Sequence, residues 1–228
     1  MPNIYSSTGD GRAECGEEAS WVNARRSAGV AVDNNNTRDS TAVSVYRAAA
    51  KGGGSLAITR RAFFYFDTSG ISVAPSEATL KLRGYSTNTS DVIAVRSTAA
   101  DPLVAGGFDD LHGASTALGN TDGSGAGTLA SVSGLTYSSE ISSWSVSGYN
   151  DIALNSTALD DMASLDTFKI CIMEYDYDYL DVAPSIETIV RTGLYWTETS
   201  GTSLDPYIDY TAGTVAVTNN SILFGTNF

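Results

Sequence analysis

The stretch best equipped for chemistry is Tyr175-Asp176-Tyr177-Asp178-Tyr179-Leu180-Asp181, where aromatic and acidic residues alternate. Asp176 and Asp178 stand two positions apart, and with Asp181 they could offer oxygens to a hard cation such as calcium. Tyr175, Tyr177 and Tyr179 could stack on the faces of sugar rings. The central glycine and closing glutamate of an EF-hand loop are absent. A third reading is structural, with the tyrosines on one face of a strand end packed against a neighbour and the aspartates solvated on the other. All three readings stay open at this stage.

Catalytic chemistry has less to work with. His112 is the only histidine, so any Ser-His-Asp or histidine acid/base scheme depends on it. It lies in Asp109-Asp110-Leu111-His112-Gly113-Ala114-Ser115, a loop by composition, with no Gly-x-Ser-x-Gly elbow nearby. Carboxylate pairs for a glycoside hydrolase or lyase are always available among 26 acidic residues, but none sits in an apolar setting that would raise a pKa. Lys51-Gly52-Gly53-Gly54-Ser55 reads as a flexible turn, because a phosphate loop places its lysine after the glycines and opens a helix. Cys15 and Cys171 have no zinc-like spacing. A single disulfide between them is open, although Cys171 lies within the apolar run Phe168 to Met173 and reads better as a small hydrophobe. Trp21, Trp144 and Trp196 are expected to be buried at strand ends rather than exposed as sugar platforms.

The elements that must position these residues are strands. In Arg61-Ala62-Phe63-Phe64-Tyr65-Phe66-Asp67, Ala62, Phe64 and Phe66 form an apolar face, and Arg61, Phe63, Tyr65 and Asp67 a mixed one. Ala78, Leu80 and Leu82 alternate in the same way with Thr79, Lys81 and Arg83. Further strands are predicted within 40–46, 91–96, 149–154, 186–196 and 201–210, and Phe168 to Met173 reads as a central strand buried on both faces. Asn155-Ser156 should cap one short helix, since Leu159, Met162 and Leu165 recur every three residues. Residues 97–140 are glycine-rich and polar with no period, and read as a long insertion folded over one edge or end of a sandwich. The chain is thus expected to be all-β, a single β-sandwich domain spanning 1–212 with one short helix and a C-terminal extension over 213–228.

Composition agrees with this class. Only 17% of residues are charged and 22 are glycine, as in a turn-rich β protein. The net charge of −13 repels phosphate backbones and anionic membranes, so neither nucleic acid nor membrane is an expected partner. Met1-Pro2-Asn3-Ile4-Tyr5 has no leader-like pattern, and no run is long enough to span a bilayer. The expectation is a soluble protein made in a cytoplasm. The extension carries Val215, Val217, Ile222, Leu223, Phe224 and Phe228, an apolar set fit to complete a sheet edge or to dock on another subunit.

Three segments carry a resemblance: Arg61 to Ser69, Ala78-Thr79-Leu80-Lys81-Leu82, and Gly201 to Tyr210 with its Asp205-Pro206-Tyr207-Ile208-Asp209-Tyr210 close. They resemble the strands of DNRLRE-type domains, jelly-roll sandwiches related to carbohydrate-binding modules, and more closely the variants found in tailed-phage virion proteins. Tyr149-Asn150 and Leu154-Asn155 fall where that family has its Tyr-Asn…Leu-Asn segment. The likeness covers roughly residues 20–212; the 97–140 region and the tail have no counterpart in it. It implies a virion protein, a capsid decoration, head-fibre or tail-associated component without catalysis. Expected partners are other virion proteins, further copies of the chain in a trimer, and a host surface glycan. Calcium is the one cofactor the acidic turn suggests, and a carbohydrate-binding module is the alternative function.

Overall fold

The computed structural model describes residues 2–26, 28–34, 36–88, 90–114, 128–197 and 200–214. Eleven strands and two α-helices lie within them: β1 (Asn3–Tyr5), β2 (Gly11–Glu14), α1 (Trp21–Arg26), β3 (Ala31–Asp33), β4 (Arg38–Ala49), β5 (Ser55–Asp67), β6 (Glu77–Asn88), β7 (Val92–Arg96), β8 (Tyr149–Ala153), α2 (Ser156–Ser164), β9 (Thr167–Glu174), β10 (Thr188–Tyr195) and β11 (Tyr207–Thr211). Pairing is antiparallel throughout, and the expected all-β, jelly-roll-like sandwich is the architecture the chain adopts. None of the described helices is long and apolar enough to cross a membrane.

β5 is the strand on which the layers divide. One of its edges carries the N-terminal segment through β2. The other is shared: Ser55 to Arg60 pairs with β4, and Ala62 to Asp67 pairs with β9, which continues to β7. β4 leads through β10 to the C-terminal half of β6, whose N-terminal half lies between β11 and β8. The inward row Ile4, Ile208, Leu80 and Ile152 crosses four strands of that sheet in register. It packs on Ala62, Phe64, Phe66, Phe168, Ile170 and Trp196 to form the sandwich core.

The other face of β5 is buried as well, which corrects the expectation of a mixed face. Phe63, Tyr65 and Arg61 are at most 1% exposed. Alternation with a charged residue made this face look half-solvated, yet Phe63 and Tyr65 enter a second apolar core with Ile93, Val95, Cys171 and Met173. Its cover comes from α1 and from the 97–140 segment, through Leu103, Phe108, Leu111, Leu129 and Leu135. The described part of the insertion therefore covers a sheet face, and its 135–141 stretch also runs along the outer edge of β7 through the Val95–Thr136 and Val92–Ile141 bridges, as an insertion folded over an edge would. It shows no period because its anchors come from turns and from short 3-10 turns at Ala105–Gly107 and Leu129–Ser131. Leu118 lies outside the described residues.

Several local expectations hold and others shift. α2 starts where expected, with the Asn155 side chain accepting from the Ala158 N–H at 3.1 Å and donating to the Thr136 carbonyl at 2.7 Å. A second helix, α1, joins the one expected. Cys15 and Cys171 are free and buried, so the disulfide alternative is not realised. Val146 is exposed, whereas Ile141 bridges to Val92.

The two-core arrangement makes a quantitative prediction. Phe63→Ala and Phe64→Ala should each destabilise the protein by about 3–5 kcal/mol, because each empties a filled site on opposite faces of one strand. Denaturant titration measures both. A Phe63→Ala cost below about 1 kcal/mol would mean that the odd face of β5 is solvated.

Candidate functional site

The segment singled out by its chemistry folds as one irregular turn between strands. β9 ends at Glu174, and Tyr175–Tyr179 forms a single π-helical turn. Such a turn leaves its first N–H groups without intrahelical partners. The Glu174 carboxylate supplies the acceptors, taking the N–H of Tyr177 at 2.6 Å, of Asp178 at 3.1 Å and of Asp176 at 3.3 Å. Burial pushes the Glu174 carboxyl up to about 7 despite those N–H bonds, and the neighbouring Asp178 and Asp176 charges act in the same direction.

Asp178 points inward and is fully buried. Its two oxygens accept from Arg61, Oδ2 from Nε and Oδ1 from Nη2, both at 2.7 Å. This is the fork-to-carboxylate geometry in which a guanidinium binds most strongly. Arg61 also donates to the carbonyl of Phe108 at 2.9 Å and to that of Arg25 at 3.1 Å, and the Phe108 ring lies 4.1 Å from its guanidinium. Arg25, itself fully buried, donates from Nε to the Asp178 carbonyl at 2.9 Å and places Nη1 2.5 Å from Asp181 Oδ1. Burial disfavours the charge on both arginines. For Arg25 it prevails and the pKa falls, whereas for Arg61 the Asp178 carboxylate outweighs it and the pKa rises. Sharing explains the difference, since Arg61 holds both near oxygens and Arg25 stands 3.5 Å from Oδ1.

This geometry corrects the expectation of a calcium set on Asp176, Asp178 and Asp181. Asp178 spends both oxygens on Arg61, Asp181 faces Arg25, and Asp176 stands apart, exposed on the turn. A cation there would have to displace two buried guanidinium groups, so these residues do not fit the ion. No group of three or more His, Cys, Asp or Glu side chains among the described residues is placed to hold a metal. The solvated-aspartate alternative fails for Asp178 for the same reason.

The tyrosines are also engaged internally. Tyr175 and Tyr179 stack on each other with centroids 5.5 Å apart, Tyr179 is buried, and Tyr175 and Tyr177 pack against the second core. They hold the turn down rather than form a platform. Ile222, Leu223, Phe224 and Phe228, the other site residues expected from sequence, lie outside the described residues. Trp21 and Trp196 are buried as expected, while Trp144 is half-buried and donates its indole N–H to the Gly193 carbonyl at 3.3 Å. His112 occupies a turn, where its backbone N–H donates to the Arg96 carbonyl.

Sequence reading missed an aromatic group on the outward face of the β1, β11, β6 and β8 sheet. Tyr5, Tyr207, Lys81 and Asp151 form one cross-strand row, with Lys81 and Asp151 paired at 2.7 Å. Tyr207 contacts Tyr5 at 5.6 Å and Tyr149 at 5.2 Å between ring centroids. Burial of the phenol raises the Tyr149 pKa, and the neighbouring Tyr207 and then Asp205 add to the rise; Asp205 is 7% exposed, with no hydrogen-bond partner on Oδ1. Beside it, Ile141, Trp144, Tyr149 and Asn150 line a cleft of about 430 Å³. The signal was present as period-two alternation in three separate strands. Their adjacency depends on pairings that a single sequence does not display.

Asp178→Asn should cost about 3–5 kcal/mol, because it leaves two buried guanidinium groups opposite a neutral amide. The double variant Arg61→Met, Asp178→Leu should recover much of that loss. Melting with added calcium or EDTA checks the alternative: a midpoint raised by one and lowered by the other would restore a metal role. The pH effect of Glu174 has a definite sign. The folded chain holds this proton up to about pH 7, whereas the unfolded chain releases it near 4.5, so this group's contribution is present below pH 4.5 and lost as pH rises through 7. Subtracting a Glu174→Gln profile from that of the wild type should expose a fall of up to about 3 kcal/mol across that window. A comparison with protein-family models and with curated proteins finds no match to this sequence.

Proposed function

We propose that this chain is a non-enzymatic structural component of a phage virion, a capsid decoration, head-fibre or tail-associated protein that works by assembly and surface adhesion. The observation that carries this reading is the use made of the most reactive-looking segment. Its acids and aromatics hold an irregular turn onto a second core through the buried Arg61–Asp178 pair. The resemblance to phage virion sandwiches and the acid-rich composition support the same reading. So does the point at which the tail departs. β11 lies between β1 and β6, and Gly213 packs so closely on Ala74 that an added Cβ would meet the Ala74 carbonyl. The apolar tail therefore starts at a fixed position on the sandwich. Its partner on this reading is a neighbouring copy, in a trimer, or another virion protein.

Deleting residues 215–228 should leave the melting transition in place while abolishing self-association in light scattering and incorporation into particles. Normal incorporation of the truncated chain would remove the tail from the proposal. Finding the chain absent from purified virions by mass spectrometry would remove the virion reading itself.

A carbohydrate-binding module is the second reading, favoured by the outward tyrosines Tyr5, Tyr207 and Tyr149. Rings of this kind stack on sugars while neighbouring charged groups take the hydroxyls. On a glycan array, binding should be lost in Tyr207→Ala and kept in Tyr177→Ala, since Tyr177 packs inward. The opposite ranking would move the site back to the 175–181 turn.

A further inference from the structure

A different surface joins charge, an unpartnered buried hydroxyl and an apolar floor. Where β4 runs between β5 and β10, register places Arg60, Ser44 and Arg191 in one cross-strand row on a single face. The next row on that face is Ile58, Tyr46 and Ile189. These residues and Thr41 line a groove of about 290 Å³. The opposite face of the same strands carries Val45, Ala57 and Val190 into the second core, so the groove lies on the side turned away from it.

Four features of the groove point to an anion attached to a carbon ring. Arg60 is held by Glu14 through Nε at 2.5 Å, which fixes its side chain and leaves its terminal nitrogens uncommitted among the described residues. Arg191, two strands away at roughly 10 Å, is exposed and takes part in no ion pair with another described residue. Between them Ser44 is only 4% exposed, and its hydroxyl has no hydrogen-bond partner. Such a group normally finds one, and here it lies beside the exposed Arg191, whose long stem can swing aside for a ligand while Arg60 stays fixed. Ile189, 48% exposed, and the half-buried Tyr46 ring extend the site with apolar surface beside the cationic row.

We propose that this groove binds an acidic saccharide unit, a hexuronate. Its carboxylate would lie between Arg60 and Arg191 over the Ser44 hydroxyl, and the C–H face of its ring against Tyr46 and Ile189. A guanidinium fork matches a carboxylate in geometry and charge. The Thr41 hydroxyl donates to Asp39 Oδ1 at 2.9 Å, so its oxygen is left as an acceptor for a sugar hydroxyl. A bound peptide fits less well. The backbone of β4 is already paired on both edges here, leaving no main-chain groups for an added strand. In a chain of net charge −13, an anion site needs local cations of this kind to work at all. This site is separate from the tyrosine face, and the inference stands whether or not that face binds sugar.

The test follows isoleucine methyl resonances by NMR on the full-length protein during titration with D-glucuronate, D-glucose or inorganic sulfate. Glucuronate should shift Ile58 and Ile189 saturably, with glucose and sulfate each at least tenfold weaker. Arg191→Ala should weaken glucuronate at least tenfold with an unchanged melting curve, and Arg191→Lys should retain part of the affinity. Equal responses to glucose, sulfate as tight as glucuronate, or unaltered binding by Arg191→Ala would each overturn the proposal. So would displacement of glucuronate by an acidic peptide that binds more tightly, since the occupant would then be a protein.

Discussion

A guanidinium taken out of water costs several kcal/mol, a large share of a domain's net stability, unless an opposite charge is buried with it. Arg61 is such a group, and much of this structure follows from satisfying it. Its nitrogens reach the Asp178 carboxylate and the carbonyls of Phe108 and Arg25, so β5, α1, the 97–140 segment and the turn after β9 meet at one side chain. The pair specifies the docking of three covering elements more than it adds net free energy. Hydrophobic residues of similar volume could fill the space, but would fix the register of the covering segments less sharply.

That requirement explains the second core. A β-sandwich with one internal layer needs only one apolar face per strand. β5 presents two, because Thr59 and Phe63, the same-face neighbours of Arg61, and Tyr65 beyond them must be dry if the ion pair is to be dry. The low dielectric strengthens the pair, and the pair in turn justifies a cover built from loops rather than regular elements. Glu174 works at the same boundary. Its buried carboxylate collects three backbone N–H groups and so allows β9 to turn sharply enough to deliver Asp178.

Much of the scaffold was legible from residue order. β5, β6, β7 and β9 follow from alternation or continuous apolarity, and the start of α2 from Asn155, because those signals are local. β1, β2 and β3 were not, since strands of three or four residues with polar neighbours carry too few positions for a period. The role of Arg61 was hidden for a different reason. Its partner lies 117 positions away, and alternation of Arg61 with Phe63 reads locally as a half-wet strand. The acid–aromatic turn was located correctly as chemically unusual. Its chemistry proved to be ion pairing and capping within the protein, because Asp178 faces two arginines that no local pattern associates with it. The outward tyrosines and the Arg60–Ser44–Arg191 row escaped notice similarly, being assembled across strands.

The separations in sequence at Arg61 have a kinetic meaning. The groups that meet there come from positions 25, 61, 108 and 178, so the buried centre closes only after more than half of the chain has been threaded into place. Contacts between such distant positions form slowly, because large loops must be closed before any interaction rewards them. The same connectivity operates in reverse. Opening that centre requires parting contacts between segments far apart in the chain at once. A fold tied at its middle in this way gains persistence from a slow exit as much as from a deep minimum.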